Sequence, residues 1–390
     1  MDNNYLFNTL VLFPIFMIGI ASKYSKLNNI FKTNINSITK RKNKKEKPKK
    51  IIKKYFQKNF VSIINFIILI SIVESNPSKI ILNIKGTGIK NIFSVVSSHN
   101  FYREFLPNKI FINGKEKTPV YSYQFDEENN EVELIWNNKL KNCEDMLYGC
   151  SDITKIDLSN FNSSEVNNII NMFFGCSSLV SLDLTNFQTK NADDLEGVFS
   201  ECTSLTSLDL SSFDTSNVND MSIMFYNCFS LTSLNLTNFK TDGVMLFASM
   251  FYNCTSLSSL NLSNFNFRNS LSIMYFFKDC INLEYINIKK YEKTNSLDIG
   301  IFTNTPDNFV ICVSNRNTGI LTQLQDKKCY IIDCSDNWRE KQKKLIAGSD
   351  YCPQNCKENS QYEYNGKCLP SCEKGVIIEN NLQTNKCKCE

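Results

Sequence analysis

Cysteine is the residue in this chain with the most chemistry available to it. There are 16, and the first is Cys143. Six of them, Cys150, Cys176, Cys202, Cys228, Cys254 and Cys280, follow one another at 26-residue steps. A thiol can be a nucleophile, a metal ligand, half of a disulfide or packing. Nucleophilic and zinc chemistry both lean on histidine, and the one histidine, His99, lies in "SSHNFY" beside no cysteine. There is no G-x-S-x-G, P-loop or G-x-G-x-x-G, and "KGTGIK" reads as a turn. No catalysis, cofactor or metal is expected. A position repeated six times is a packing position, so the ladder thiols are expected to lie buried. Cys143, seven residues ahead of Cys150, stands outside the ladder and is a candidate to bridge to it or to the segment before it.

A second set differs. Cys352, Cys356, Cys368, Cys372, Cys387 and Cys389 crowd into a C-x3-C-x11-C-x3-C-x14-C-x-C pattern. So short a segment needs staples to fold. Paired C-x3-C could ligate zinc; disulfides are preferred, because such density suits an oxidising compartment. Six cysteines allow 15 pairings. Cys312, Cys329 and Cys334, between the ladder and this tail, are further disulfide candidates.

The elements that carry the ladder follow from its period. Counting each ladder cysteine as position 1, position 4 is Ile153, Leu179, Leu205, Leu231 and Leu257. Position 7 is Ile156, Leu182, Leu208, Leu234 and Leu260, and position 9 is Leu158, Leu184, Leu210, Leu236 and Leu262. Position 12 is Phe161, Phe187, Phe213, Phe239 and Phe265. Positions 7 and 9 alternate with polar residues, the period of a strand with one buried face. Met221, Met224, Phe225 and Cys228 then fall at i, i+3, i+4 and i+7, the spacing of one helix face. Each unit is therefore expected to be a strand, a turn and a short helix. Stacked units would bury both apolar stripes and line their strands into a parallel ladder.

The LxxLxLxxF core resembles leucine-rich repeats, and "SLTSLDLSSFDTSNVNDMSIMFYNC" (residues 204–228) resembles the 26-residue repeats of BspA-like surface proteins. The resemblance runs over about residues 136–291; the fifth copy, "FRNSLSIMYFFKDC", lacks the usual Asp–Thr step. It implies an α/β leucine-rich-repeat solenoid with one short helix per repeat, exposed at a cell surface and used for binding or adhesion.

Position 8 faces outward from the expected strands. It is Asp157, Asp183 and Asp209, then Asn235, Asn261 and Asn287. Stacked carboxylates repel unless solvated or neutralised, so this row is a solvated stripe or a site for a cation or basic partner. With Ser159, Thr185 and Ser211 two residues on, the three aspartates form the candidate binding face. Asn162, Asn235, Asn253 and Asn261 head N-x-S/T sequons. Glycans at Asn235 and Asn261 would cover the other half of the row and leave the aspartate half open.

The flanks set the compartment. Residues 1–74 carry 14 Lys/Arg against three Asp/Glu, and the remainder 29 against 36. Eleven of the early basic residues lie in 40–58, ahead of the uncharged run "FVSIINFIILISIV" at 60–73. A basic region, an apolar region and Val73-x-Ser75 read as a secretory signal. A second apolar stretch at 5–21 leaves open a membrane hairpin with a cytosolic lysine-rich loop, or first fifty residues that are a mistaken upstream extension. Every version sends the chain past Ser75 to the exterior or lumen.

The expected layout is a signal or membrane-anchor region (1–75), a β-rich N-terminal cap (76–142), the solenoid (143–291), a C-terminal cap (292–346) and a disulfide-rich tail (347–390). The cap strands are "KIILNIKG", "KIFING", "PVYSYQF" and "EVELIW", with Asn113-Gly114 as a turn; "NFVICV" and "KCYIIDC" are the strands of the second cap. The function expected is binding or adhesion without catalysis, with a protein or glycan ligand on another surface. Membrane attachment through the N-terminal apolar segments and no nucleic acid complete the partners. A surface-coat protein assembling through its solenoid or its Cys-rich tail is the alternative.

Overall fold

A computed structural model describes residues 77–95, 106–292, 298–314, 318–324, 327 and 329–342, together with the backbone of five short strands beyond. Residues 78–136 form β1 (Ser78–Lys85), β2 (Gly88–Asn91), β3 (Lys109–Ile112), β4 (Lys115–Lys117), β5 (Ser122–Phe125) and β6 (Asn129–Trp136). Strict alternation in "SKIILNIK" buries Ile80, Leu82 and Ile84 on one face. Asn113 and Gly114, both at positive φ (49° and 74°), close the β3–β4 hairpin, the turn that Asn-Gly favours.

The repeats begin against this sheet. β7 (Ile153–Asp157) pairs antiparallel with β1, Leu82 opposite Ile156, and parallel with β8 (Ser181–Asp183). The resulting sheet runs β4-β3-β6-β1-β7-β8, so β1 covers the open edge of the first repeat. A second parallel sheet joins β9 (Ser259–Asn261), β10 (Tyr285–Asn287), β11 (Val310–Cys312) and β12 (Ile331–Ile332). Between the two, residues 207–209 and 233–235 lie outside any strand. Each 26-residue unit is one coil of the stack; coil 1 starts at Cys150.

The helix expected in each unit is absent, and the α/β leucine-rich-repeat solenoid with it: the repeats are strand, bridge and turn throughout. The two described helices, α1 (Thr318–Thr322) and α2 (Trp338–Lys341), follow the repeats. In an α-helix each N–H donates four residues back. In "MSIMFYNC" alternate N–H groups donate to the next coil: Met221 to Leu246 O, Ile223 to Ala248 O, Phe225 to Met250 O and Asn227 to Tyr252 O, each at 2.9 Å. The intervening groups turn back three residues, as Tyr226 does to Ile223 O at 3.0 Å and Cys228 to Phe225 O at 3.2 Å. Ile223 (φ 49°) and Asn227 (φ 58°) are left-handed, and so are their counterparts in the other coils. Burial at helical spacing is met by this string of turns, because burial constrains side chains and not the partner of each N–H.

The core is a set of ladders one coil apart. Phe173, Phe199, Phe225, Phe251, Phe277 and Phe302 stack ring on ring at 5.4–6.0 Å. Buried hydroxyls at position 14 stitch coils together: Thr215 Oγ1 donates to Lys240 O (3.0 Å) and accepts the Lys240 N–H (2.8 Å). Coil 5 lacks that threonine, and Phe267 fills the place, within 5.1 Å of Phe247 and 5.5 Å of Tyr291.

Among the described residues no helix is long and apolar enough to cross a membrane. The membrane partner expected through residues 5–21 and 60–73 is withdrawn on that finding; both segments lie outside the described residues. His99 lies outside them as well.

Candidate functional site

The ladder thiols are inside. Cys150, Cys176, Cys202, Cys228, Cys254 and Cys280 are buried and free, and so is Cys143, which bridges to nothing, contrary to expectation. From Cys176 onward each Sγ–H donates to the carbonyl 29 residues back, as Cys254 does to Phe225 O at 3.1 Å. Burial pushes the Cys176, Cys228 and Cys280 thiols up to about 12. Such groups are neither nucleophiles nor thiolate ligands at neutral pH.

Of the disulfide candidates, Cys312 and Cys334 are joined, tying β11 to the residue pair after β12. Cys329 is also disulfide-bonded. Cys352, Cys356 and Cys372 lie outside the described residues. Cys368, Cys387 and Cys389 fall on short strands described by backbone alone.

The position-8 row is aligned and solvent-facing. Asp157 stands in register with Asp183, and Asp209 follows one coil on. Each side chain is already engaged with its own backbone. Asp157 accepts the Ser159 N–H at 2.9 Å, Asp183 the Thr185 N–H at 3.0 Å and hydroxyl at 2.6 Å, and Asp209 the Ser211 N–H at 2.9 Å. The Thr185 hydroxyl, then its N–H, holds Asp183 below the usual carboxylate range. The Ser211 N–H, then its hydroxyl, does the same for Asp209. Leu182, Asp183, Leu184, Thr185, Asp209, Ser211 and Ser212 line a shallow cavity of about 210 Å³. Asp157 and Ser159 stand outside its lining.

The asparagines of the row fold alike. Exposed Asn235 accepts from Thr237 N–H (3.1 Å) and hydroxyl (2.8 Å), and exposed Asn261 from Ser263 N–H (3.0 Å). Asn162 is half-buried and accepts the Ser164 hydroxyl at 2.7 Å. Asn253 differs: it is left-handed (φ 58°), half-buried, and donates its side-chain amide to Asn227 Oδ1 at 3.0 Å.

A second outward surface escaped sequence reasoning. Positions 17 and 20 point inward, as Val218 and Met221 do, while positions 18, 19 and 21 point out. Carboxylate oxygens of Asp194, Glu196 and Asp220 lie within 4.8 Å of one another there. Burial first, then the neighbouring carboxylates, raises Asp194 and Glu196 above the ordinary range. Carboxylates suit a hard cation, but Ca²⁺ takes six to eight oxygens and Mg²⁺ a near-ideal octahedron. Three clustered oxygens define neither. The signal available in the sequence is the acidic "DDLE" at 193–196, one repeat ahead of Asp220.

Strand ladder, inert buried thiols and engaged outer row define a repeat protein of stacked 26-residue coils. The family model described as "Mycoplasma protein of unknown function, DUF285" matches residues 122–232 and 229–323, more than half of the 390-residue chain, and the chain belongs to that family. The second match starts one residue past Cys228, on a coil boundary. No curated protein matches the chain.

Proposed function

We propose that this is an exported protein, at the cell surface or secreted, whose coil stack binds a protein or glycan ligand of another surface and carries out no catalysis. The observation that carries the reading is the row of Asp157, Asp183 and Asp209. Its carboxylates are fixed by their own turns, and two of them line a shallow cavity. A ligand meeting them orders little, which favours binding. The resemblance of residues 204–228 to BspA-like surface repeats supports the same reading, as does the Cys312–Cys334 disulfide, which suits an oxidising compartment. Glycans at Asn235 and Asn261 would screen the other half of the row, leaving Asn253 bare because its amide is occupied.

The test is direct. The secreted protein is applied to arrays of glycans and extracellular proteins beside a variant with Asp157, Asp183 and Asp209 all changed to Ala. Loss of the captured ligand, by about tenfold or more in affinity with the fold intact, supports the row. Equal affinity removes it. Peptide mapping that finds Asn235 and Asn261 unmodified ends the argument for asymmetry. Reducible oligomers without any ligand would favour a surface-coat role instead.

A further inference from the structure

Positions 18, 19 and 21 change character along the stack. Coil 2 presents Asp193, Asp194 and Glu196, and coil 3 Asn219, Asp220 and Ser222. Coil 4 presents Met245, Leu246 and Ala248, and coil 5 Leu271, Ser272 and Met274. The rows are continuous. Asp194, Asp220, Leu246 and Ser272 are bridged in parallel, and Leu271 N–H donates to Met245 O at 2.6 Å. Tyr275 N–H donates to Ile299 O at 3.1 Å, which places Ile299 next in the position-21 row. Leu271 is 70% exposed, Ile299 58% and Met245 43%. Adjacent apolar side chains left in water on a bonded, rigid face mark an interaction surface. Among the described residues no lysine or arginine pairs with Asp193, Asp194, Glu196 or Asp220.

We propose that this face docks a cationic, amphipathic polypeptide segment of another protein, its basic residues on the carboxylates of coils 2 and 3 and its apolar residues on Met245, Leu271 and Ile299. Charge complementarity selects that occupant. A second copy docking through its own coil stack would bring like charges together, since residues 75–390 carry 36 Asp/Glu against 29 Lys/Arg. The basic run at 40–58 is the part of a copy with the matching charge, and self-association is the outcome that would reveal it. An anionic lipid surface would meet the same repulsion. Coils about 4.8 Å apart put Asp194 and Leu271 roughly 14 Å from one another along the stack. Four or five extended residues, at about 3.3 Å each, cover that distance. The surface is separate from the Asp157–Asp209 row and does not depend on it.

The experiment uses the full chain and a fluorescent peptide with a lysine block followed by a leucine block, read by anisotropy. Binding that weakens with salt, and falls about tenfold or more both in Leu271→Asp and in the combined Asp193→Asn, Asp194→Asn, Glu196→Gln variant, supports the face. The Asp157, Asp183 and Asp209 triple alanine variant should bind this peptide unchanged, so failure of one surface is distinguishable from failure of the other. Thermal melts verify that each variant is folded. Equal binding by the variants overturns the inference, and so does equal binding of a glutamate-for-lysine peptide. Self-association abolished by Leu271→Asp would overturn it in favour of a second copy.

Discussion

At the scale of the residue, the ladder cysteines trade reactivity for hydrogen bonding. Each buried thiol from Cys176 onward donates to the carbonyl 29 residues back in the chain. Their ionisation gives stability a pH dependence with a fixed sign. Unfolded thiols ionise near 8.5, whereas burial holds Cys176, Cys228 and Cys280 protonated up to about 12. The folded chain therefore binds more protons across that window. The contribution is complete below about 8.5 and is lost as pH rises toward the folded value. Urea midpoints measured near pH 8 and near pH 10 should show a marked fall, shallower in Cys228→Ala. A midpoint that ignores pH over this range, or a Cys228→Ala slope equal to the parent's, would refute the buried-thiol account.

At the scale of the element, the left-handed residues decide how a coil closes. Gly197 (φ 63°) sits at the first such position of coil 2, and an added Cβ would press on the Asn171 carboxamide. Gly197→Ala should destabilise by about 1–2 kcal/mol. Gly243, outside the left-handed region, meets only Val218 O at 3.6 Å. Gly243→Ala should be neutral or stabilise by up to about 1 kcal/mol. The same chemical change thus gives opposite signs, and chemical denaturation of the pair checks it. Helical apolar spacing in "MSIMFYNC" hid these positions. The residue before each ladder cysteine, Gly149, Gly175, Asn227, Asn253 and Asp279 among them, carried a legible hint, since Gly and Asn tolerate positive φ best. Glu201 and Ile223 are left-handed with no such hint, because the bonds to the next coil impose their conformation.

At the scale of the whole molecule, a stack is held by nearest neighbours, so its ends are where it frays. β1 seals the first coil, and the Cys312–Cys334 bond clips the last parallel strands. Removing that clip with Cys312→Ser should cost about 3 kcal/mol, as expected of a bridge across a 22-residue separation. Loss should be local: hydrogen exchange should quicken in β11 and β12 while β1 and β6 keep their protection. Uniform loss along the chain would mean that the stack melts as one unit.

The sequence by itself determined the 26-residue period, the buried positions, the thiols' place in the core, the Asn113-Gly114 turn and the strands ahead of the repeats. Side-chain polarity carries all of these, and polarity is local. Only the tertiary structure decided that each unit is a coil of turns and not a strand with a helix. Every second N–H of "MSIMFYNC" finds its acceptor 25 residues ahead, in a neighbour that exists only once the repeats stack. Stacking likewise brought Asp194, Glu196 and Asp220 to one point and set Met245 beside Leu271. Residues a full repeat apart in the chain stand one coil apart in space.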